Sequence, residues 1–190
     1  MSIHDFFRGG DVDLAWLSAY LDGLEGAERI AEARRLTAIE QAQLFDRAAG
    51  FRHITLDDFV PPDVPALQPV IHYGRNSLPL FRIFEKRFCK PDAGSGELWG
   101  YNEQRFKAFT GPGYFVARPA SDLEVVIDYG AVPPRKPAQW PPILPNSARL
   151  SRFIYYRTRD FMRGVSTHVS IGRATREGKP MNNWFVLCRE

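Results

Sequence analysis

Residues 76–91, NSLPLFRIFEKRFCKP, decide how the body of this chain is organised, because they set three phenylalanines, an isoleucine and two leucines among five charged side chains. Read as a strand, one face carries Phe81, Ile83, Glu85 and Arg87 and the other Arg82, Phe84, Lys86 and Phe88, so both mix charge with apolar surface. Read as a helix, Leu80, Phe81, Phe84 and Phe88 share a stripe with Ile83 beside it, while Arg82, Glu85 and Lys86 face away. Asn76 or Ser77 caps the start, and Pro91 and Gly94 lie past the end. The spacing therefore predicts a helix whose aromatic stripe is core.

A second stretch, NSARLSRFIYYRTRDFMRGV at 146–165, repeats the pattern. Leu150, Phe153, Ile154, Thr158, Phe161, Met162 and Val165 follow helical offsets behind Asn146 and Ser147, and Gly164 stands at the close. The opposite face carries Arg149, Arg152, Arg159 and Arg163, with Asp160 as the one acid among them. Strand signals lie at PVIHY (69–73), ELWGY (97–101), GYFVAR (113–118), LEVVIDYG (123–130), STHVSIGRAT (166–175) and NWFVLC (183–188). REGKP makes the last two a hairpin. Short connections favour antiparallel pairing, so the body, 69–190, is expected to be α+β: a curved, mainly antiparallel sheet with two covering helices.

The head, 1–54, reads as a helical subdomain. Leu14, Leu17 and Leu21 recur at spacings of three and four; Ile30, Ala33 and Leu36 follow; Thr37 and Glu40 form a capping box for a third helix that ends at Gly50. Residues 55–68, rich in proline and acid, read as a linker or an ordered strap.

A chain of 190 residues with 44% hydrophobic and 13% aromatic residues can bury a core without metal or disulfide support. No leader-like start and no long uncharged apolar run is present, so a soluble, cytoplasmic protein that neither spans nor enters a membrane is expected. Cys89 and Cys188 are widely separated and read as reduced and structural. Residues 1–66 hold 12 acidic and 6 basic side chains, and residues 131–190 hold 3 and 11, which suggests either that head and tail are complementary or that the tail meets an anion. Nucleic acid is disfavoured by the acidic head and by the absence of a recognised binding pattern.

No phosphate-cradling glycine motif, nucleophile elbow or zinc-hydrolase signature occurs, and no motif names a cofactor. His72, His168, Cys89 and Cys188 lack metal-ligand spacing, so no metal is assigned. What remains is polar and aromatic material on and beside the strands: His72, Tyr73, Arg75 and Asn76; Trp99, Tyr101 and Asn102; Tyr114; Asp128 and Tyr129. From these, His72, Arg75, Asn76, Trp99, Tyr101, Tyr114, Asp128 and His168 are the candidate contacts for a small anionic or aromatic ligand held between sheet and helices. Two other readings stand beside it. One is a protein-interaction module using the proline-rich arm 131–146, AVPPRKPAQWPPILPN, or the basic helix 147–163. The other is an enzyme with His72 or His168 as base, oriented by Asp128.

Overall fold

In a computed structural model of the chain, residues 83–89 of the deciding stretch form an extended strand that pairs on both sides. The strand β2 (Ile83–Cys89) lies antiparallel to β1 (Val70–Asn76), with Gly74 opposite Phe84, and to β3 (Leu98–Glu103), with Phe88 opposite Gly100. The chain continues as a meander through β4 (Tyr114–Ser121), β5 (Glu124–Asp128), β6 (Thr158–Gly164), β7 (Val169–Arg176) and β8 (Lys179–Arg189). β8 then pairs antiparallel with β1, and the sheet closes into an eight-stranded barrel with no free edge. The structure describes residues 1–9, 12–79, 82–94, 96–104, 111–146 and 155–190.

The expected curved antiparallel sheet is thus correct in its pairing and incomplete in its closure. The first covering helix is overturned. Positions 84 and 88 fall on one face in both a period of 2 and a period of 3.6, so the phenylalanine spacing could not choose between strand and helix. Asn76, expected as a helix cap, accepts instead from the Leu78 amide at 2.7 Å within the β1–β2 connection. Ser77 exchanges bonds with the backbone of Trp184. The second covering helix is overturned over its last third, where Thr158–Gly164 is β6; residues 147–154 lie outside the described residues. Over residues 158–163 the basic helix expected as an interaction surface is likewise a strand. Arg159 and Arg163 point outward from β6 and pair with Asp128 and Glu124 at 2.9 and 2.8 Å.

The head forms as its periodicity predicts. Helices α1 (Leu14–Asp22), α2 (Gly26–Ala33) and α3 (Ala38–Arg47) start at Asp13, Glu25 and Thr37. The Asp13 side chain accepts from the Trp16 amide, and Thr37 and Glu40 satisfy each other's backbone donors. Eight to ten residues are too few for an isolated helix, so packing must hold them. That packing is apolar: Leu14, Leu17, Leu21, Leu36, Leu44 and Phe45 bury against Val169, Ile171, Val186 and Cys188 on the outside of β7 and β8. The pocket expected between the sheet and its two covering helices has no such helices at Ile83–Cys89 and Thr158–Gly164, which are strands of the barrel wall.

Alternation along each strand separates this outer layer from the barrel interior. On the inside, Phe88, Leu98, Phe115, Val125, Ile127, Met162 and Leu187 pack together, joined by Ile54, Phe59 and Val60, which close the end where β1 begins. Glycine faces phenylalanine across four strand pairs: Gly74 opposite Phe84, Gly100 opposite both Phe88 and Phe115, and Gly172 opposite Phe185. At Gly100 a β-carbon would lie 2.3 Å from the Phe115 ring and 2.6 Å from the Arg87 carbonyl, so only glycine leaves the ring its place. A third cluster lies outside β2–β4, where Cys89, Trp99, Tyr101, Tyr114 and Val116 are covered by Trp140 of the proline-rich arm.

Candidate functional site

Four inward-facing polar side chains meet where the apolar filling of the barrel ends. Lys86 comes from β2, Asn102 from β3, Tyr129 from the end of β5 and Asp160 from β6, and each is buried among aromatic rings. Lys86 Nζ donates to Asn102 Oδ1 at 3.0 Å, to Asp160 Oδ2 at 3.1 Å and to the Tyr129 hydroxyl. The Tyr129 hydroxyl donates to Asp160 Oδ2 at 3.2 Å and accepts from Asn102 Nδ2 at 3.1 Å. Lys86 and Asp160 expose 3% and 6% of their side chains, so this ion pair is desolvated rather than a surface contact. Its ammonium also lies 4.9 Å from the ring centres of Tyr129 and Phe185 and 5.2 Å from that of Phe115, close enough for cation–π attraction.

Burial lowers the Lys86 pKa below its usual value, against the pull of Asp160 in the other direction. Burial also raises the Tyr129 hydroxyl well above the usual tyrosine range, with Asp160 adding to the effect, so it remains a proton donor at neutral pH. Tyr155, stacked on Tyr129 with ring centres 5.0 Å apart, is raised for the same first cause.

Above this polar floor the barrel is open. A cavity of about 410 Å³ is walled by Leu78, Pro79, Phe84, Tyr155, Met181 and Phe185, with Asn76, Gln104, Thr158, Ala174 and Asn183 completing its lining. Two features leave it unfilled. The large inward residues Phe88, Phe115 and Met162 lie toward the closed end, and the positions nearer the mouth carry Thr158, Ala174 and Asn183. Asn183 Oδ1 is buried without a partner among the described residues, leaving an acceptor in a lining residue unsatisfied there.

Of the eight candidates from the sequence, Asn76 lines this cavity. His72 points inward at the closed end, where Nε2–H donates to the Phe59 carbonyl at 2.9 Å. Arg75 faces outward and donates to the Arg34 carbonyl at the end of α2. Trp99 and Tyr101 face outward, donating to Glu97 and Glu103 at 2.8 and 2.9 Å, and the Tyr114 hydroxyl donates to the Pro141 carbonyl. Asp128 pairs with Arg159 on the outer wall, and His168 precedes β7 near the closed end. Asp128 therefore orients neither histidine. Cys89 and Cys188 sit in different outer clusters, where burial pushes each thiol up to about 12.

The sequence reading passed over Lys86, Asp160, Asn102 and Tyr129 as site residues. The last two stand one position after the chosen Tyr101 and Asp128, and a shift of one residue along a strand moves a side chain through the wall. For Lys86, the usable signal was a lysine flanked at two residues on either side by phenylalanine, Phe84 and Phe88.

His72 carries a pH prediction. Its ring is buried, and burial, the largest cause, lowers its pKa to about 4 from an ordinary 6.5. As pH falls through about 6.5, the unfolded chain takes a proton there and the folded one does not, so stability drops until about pH 4. The loss reaches about 3 kcal/mol at roughly 1.4 kcal/mol per pKa unit. His72→Gln keeps a donor for the Phe59 carbonyl without titrating, so the gap between wild-type and variant unfolding free energies, from urea titrations, should change by about that amount between pH 7 and pH 4. A constant gap would refute the assignment.

No family model, no curated protein and no solved structure matches the chain. Among the described residues, no helix is long and apolar enough to cross a membrane.

Proposed function

We propose that the protein binds a small, largely apolar ligand with an aromatic portion in the open half of the barrel, its polar end directed at Lys86, Asn102, Tyr129 and Asp160. The observation that carries this reading is a cavity of about 410 Å³ inside a barrel whose other half is filled, walled by aromatic side chains over a fully buried polar cluster. That volume falls within the range of small-molecule sites, about 300–1,000 Å³. An aromatic ligand is favoured over an anionic one by the charge of the floor. Among the described lining residues the charges are Lys86 and Asp160, already paired, so an added carboxylate would compete with Asp160 for the ammonium inside a low-dielectric site. Asn183 Oδ1 offers an acceptor to a hydroxyl or amide of the ligand.

Ala174 supports a direct test, because it is buried, lines the cavity and has no larger group to displace before a ring would enter the space. N-phenylnaphthylamine, an uncharged fluorophore, should bind the wild-type chain with enhanced emission. Ala174→Phe should weaken that binding by about tenfold or more while leaving the far-ultraviolet circular dichroism unchanged, since a lost hydrophobic subsite costs on the order of 1–3 kcal/mol. Equal binding by both chains, or none by the wild type, would overturn the proposal.

A further inference from the structure

Lys86 lines the cavity, whereas an ion pair serving stability alone could lie sealed in the filled half of the barrel. We propose that Lys86 captures an aromatic aldehyde or ketone in this cavity as a reversible imine, an inference that rests on the cavity being a ligand site. Lys86 supplies the one primary amine among the described lining residues. Its Nζ lies 4.9 Å from the ring centres of Tyr129 and Phe185, both of which line the cavity, so a planar carbonyl compound resting against these two rings presents its carbonyl carbon to the nitrogen.

The chemistry needs proton carriers and no redox partner. The Lys86 ammonium first passes one proton to the Asp160 carboxylate, which returns it to the departing oxygen in the second step; the freed Nζ lone pair bonds to the carbonyl carbon, the C=O π pair moves to oxygen, and the further proton lost by nitrogen is balanced by the one gained by oxygen, forming a carbinolamine. Cleavage of the carbon–oxygen bond with a second proton releases water and leaves C=N; hydrolysis reverses both steps. The Tyr129 hydroxyl and the Asp160 carboxylate both touch Nζ and each other, placing a donor and an acceptor where both transfers occur. Burial favours the neutral amine that attacks. Asn102 holds the lysine from the third side through its Oδ1, and its Nδ2 is anchored on the Gly113 carbonyl at 3.3 Å.

The test treats the intact wild-type chain at neutral pH with naphthaldehyde and cyanoborohydride, which reduces an imine to a stable amine, and maps the adduct by peptide mass. In parallel, naphthalenemethanol, which has the same rings and no carbonyl, is tested for displacement of N-phenylnaphthylamine. The expected result is labelling of Lys86 about tenfold or more above Lys90, Lys136 and Lys179, abolished in Lys86→Arg and levelled when the chain is unfolded in urea. Displacement by the alcohol with no preference for Lys86 would overturn imine capture and leave the ligand site standing. Absence of both displacement and Lys86 labelling would overturn the ligand site, and imine capture with it.

Discussion

Asp160→Ala should destabilise the protein by about 3–5 kcal/mol, the cost of leaving a buried partner charge uncompensated. Lys86 Nζ would keep Asn102 and the Tyr129 hydroxyl but lose the anion at 3.1 Å, in a site where it has almost no access to water. Tyr129 would lose its acceptor as well. Removing both charges is a different experiment. Lys86→Met combined with Asp160→Leu replaces the pair by apolar groups in an aromatic setting, and the double variant should lie within about 1–2 kcal/mol of the wild type. Urea unfolding of the wild type, Lys86→Met, Asp160→Leu and the double variant closes a double-mutant cycle, and a melting shift of about 10 °C for Asp160→Ala alone follows from the size of the chain.

The pH dependence has a fixed sign. Because the Lys86 pKa is lowered in the folded chain, the unfolded chain holds more protons between the two values, so the penalty is fully present below the folded value and is relieved as pH rises through it toward lysine's ordinary value. Asp160→Ala, lacking the group that opposes this shift, should recover part of its loss as pH rises toward lysine's ordinary value. A loss below about 1 kcal/mol for Asp160→Ala, or a double variant as unstable as the single one, would show that the pair is not desolvated as described.

The second large effect is expected at Trp140. This residue is 3% exposed and lies edge-on to Tyr101, with ring centres 4.9 Å apart, and near Tyr114 at 6.3 Å. Trp140→Ala removes a fully packed indole and should cost about 3–5 kcal/mol. Its Nε1–H is buried with no acceptor among the described residues, so the indole contributes through packing; Trp140→Phe, which keeps an aromatic ring, should cost much less, about 1–2 kcal/mol. Losing the anchor should also expose the arm 131–146 to proteolysis while the barrel remains paired, a pattern visible in limited digestion followed by mass analysis. If Trp140→Ala matched the wild type in both stability and digestion, the arm would not be held by this contact, and its proline-rich surface would become a candidate for partner binding.

The boundaries of the fold divide by the range of the forces that set them. The three head helices are legible in the sequence because their stripes and caps are local: Asp13 and Thr37 each act on an amide three residues on. The strands β1, β3, β4, β5, β7 and β8 are legible for the same reason, since alternating β-branched and aromatic residues bounded by turns require no knowledge of partners. β2 and β6 fail that test. Their inward faces carry Lys86 and Asp160, residues that spoil the apolar alternation and make each stretch look like an amphipathic helix with charge on its outer side. The two side chains account for one another only when β2 and β6, 74 residues apart at this pair, face across a closed barrel.

What the sequence by itself determined was the local material: helix starts, turn positions and six of the eight strands. Only the tertiary structure decided which face of each strand is interior, that the sheet closes, and that Lys86, Asn102, Tyr129 and Asp160 meet. The physical reason is that side-chain parity and barrel closure depend on hydrogen-bond register between strands, a non-local property, and a single-residue shift leaves composition and periodicity unchanged while exchanging inside for outside.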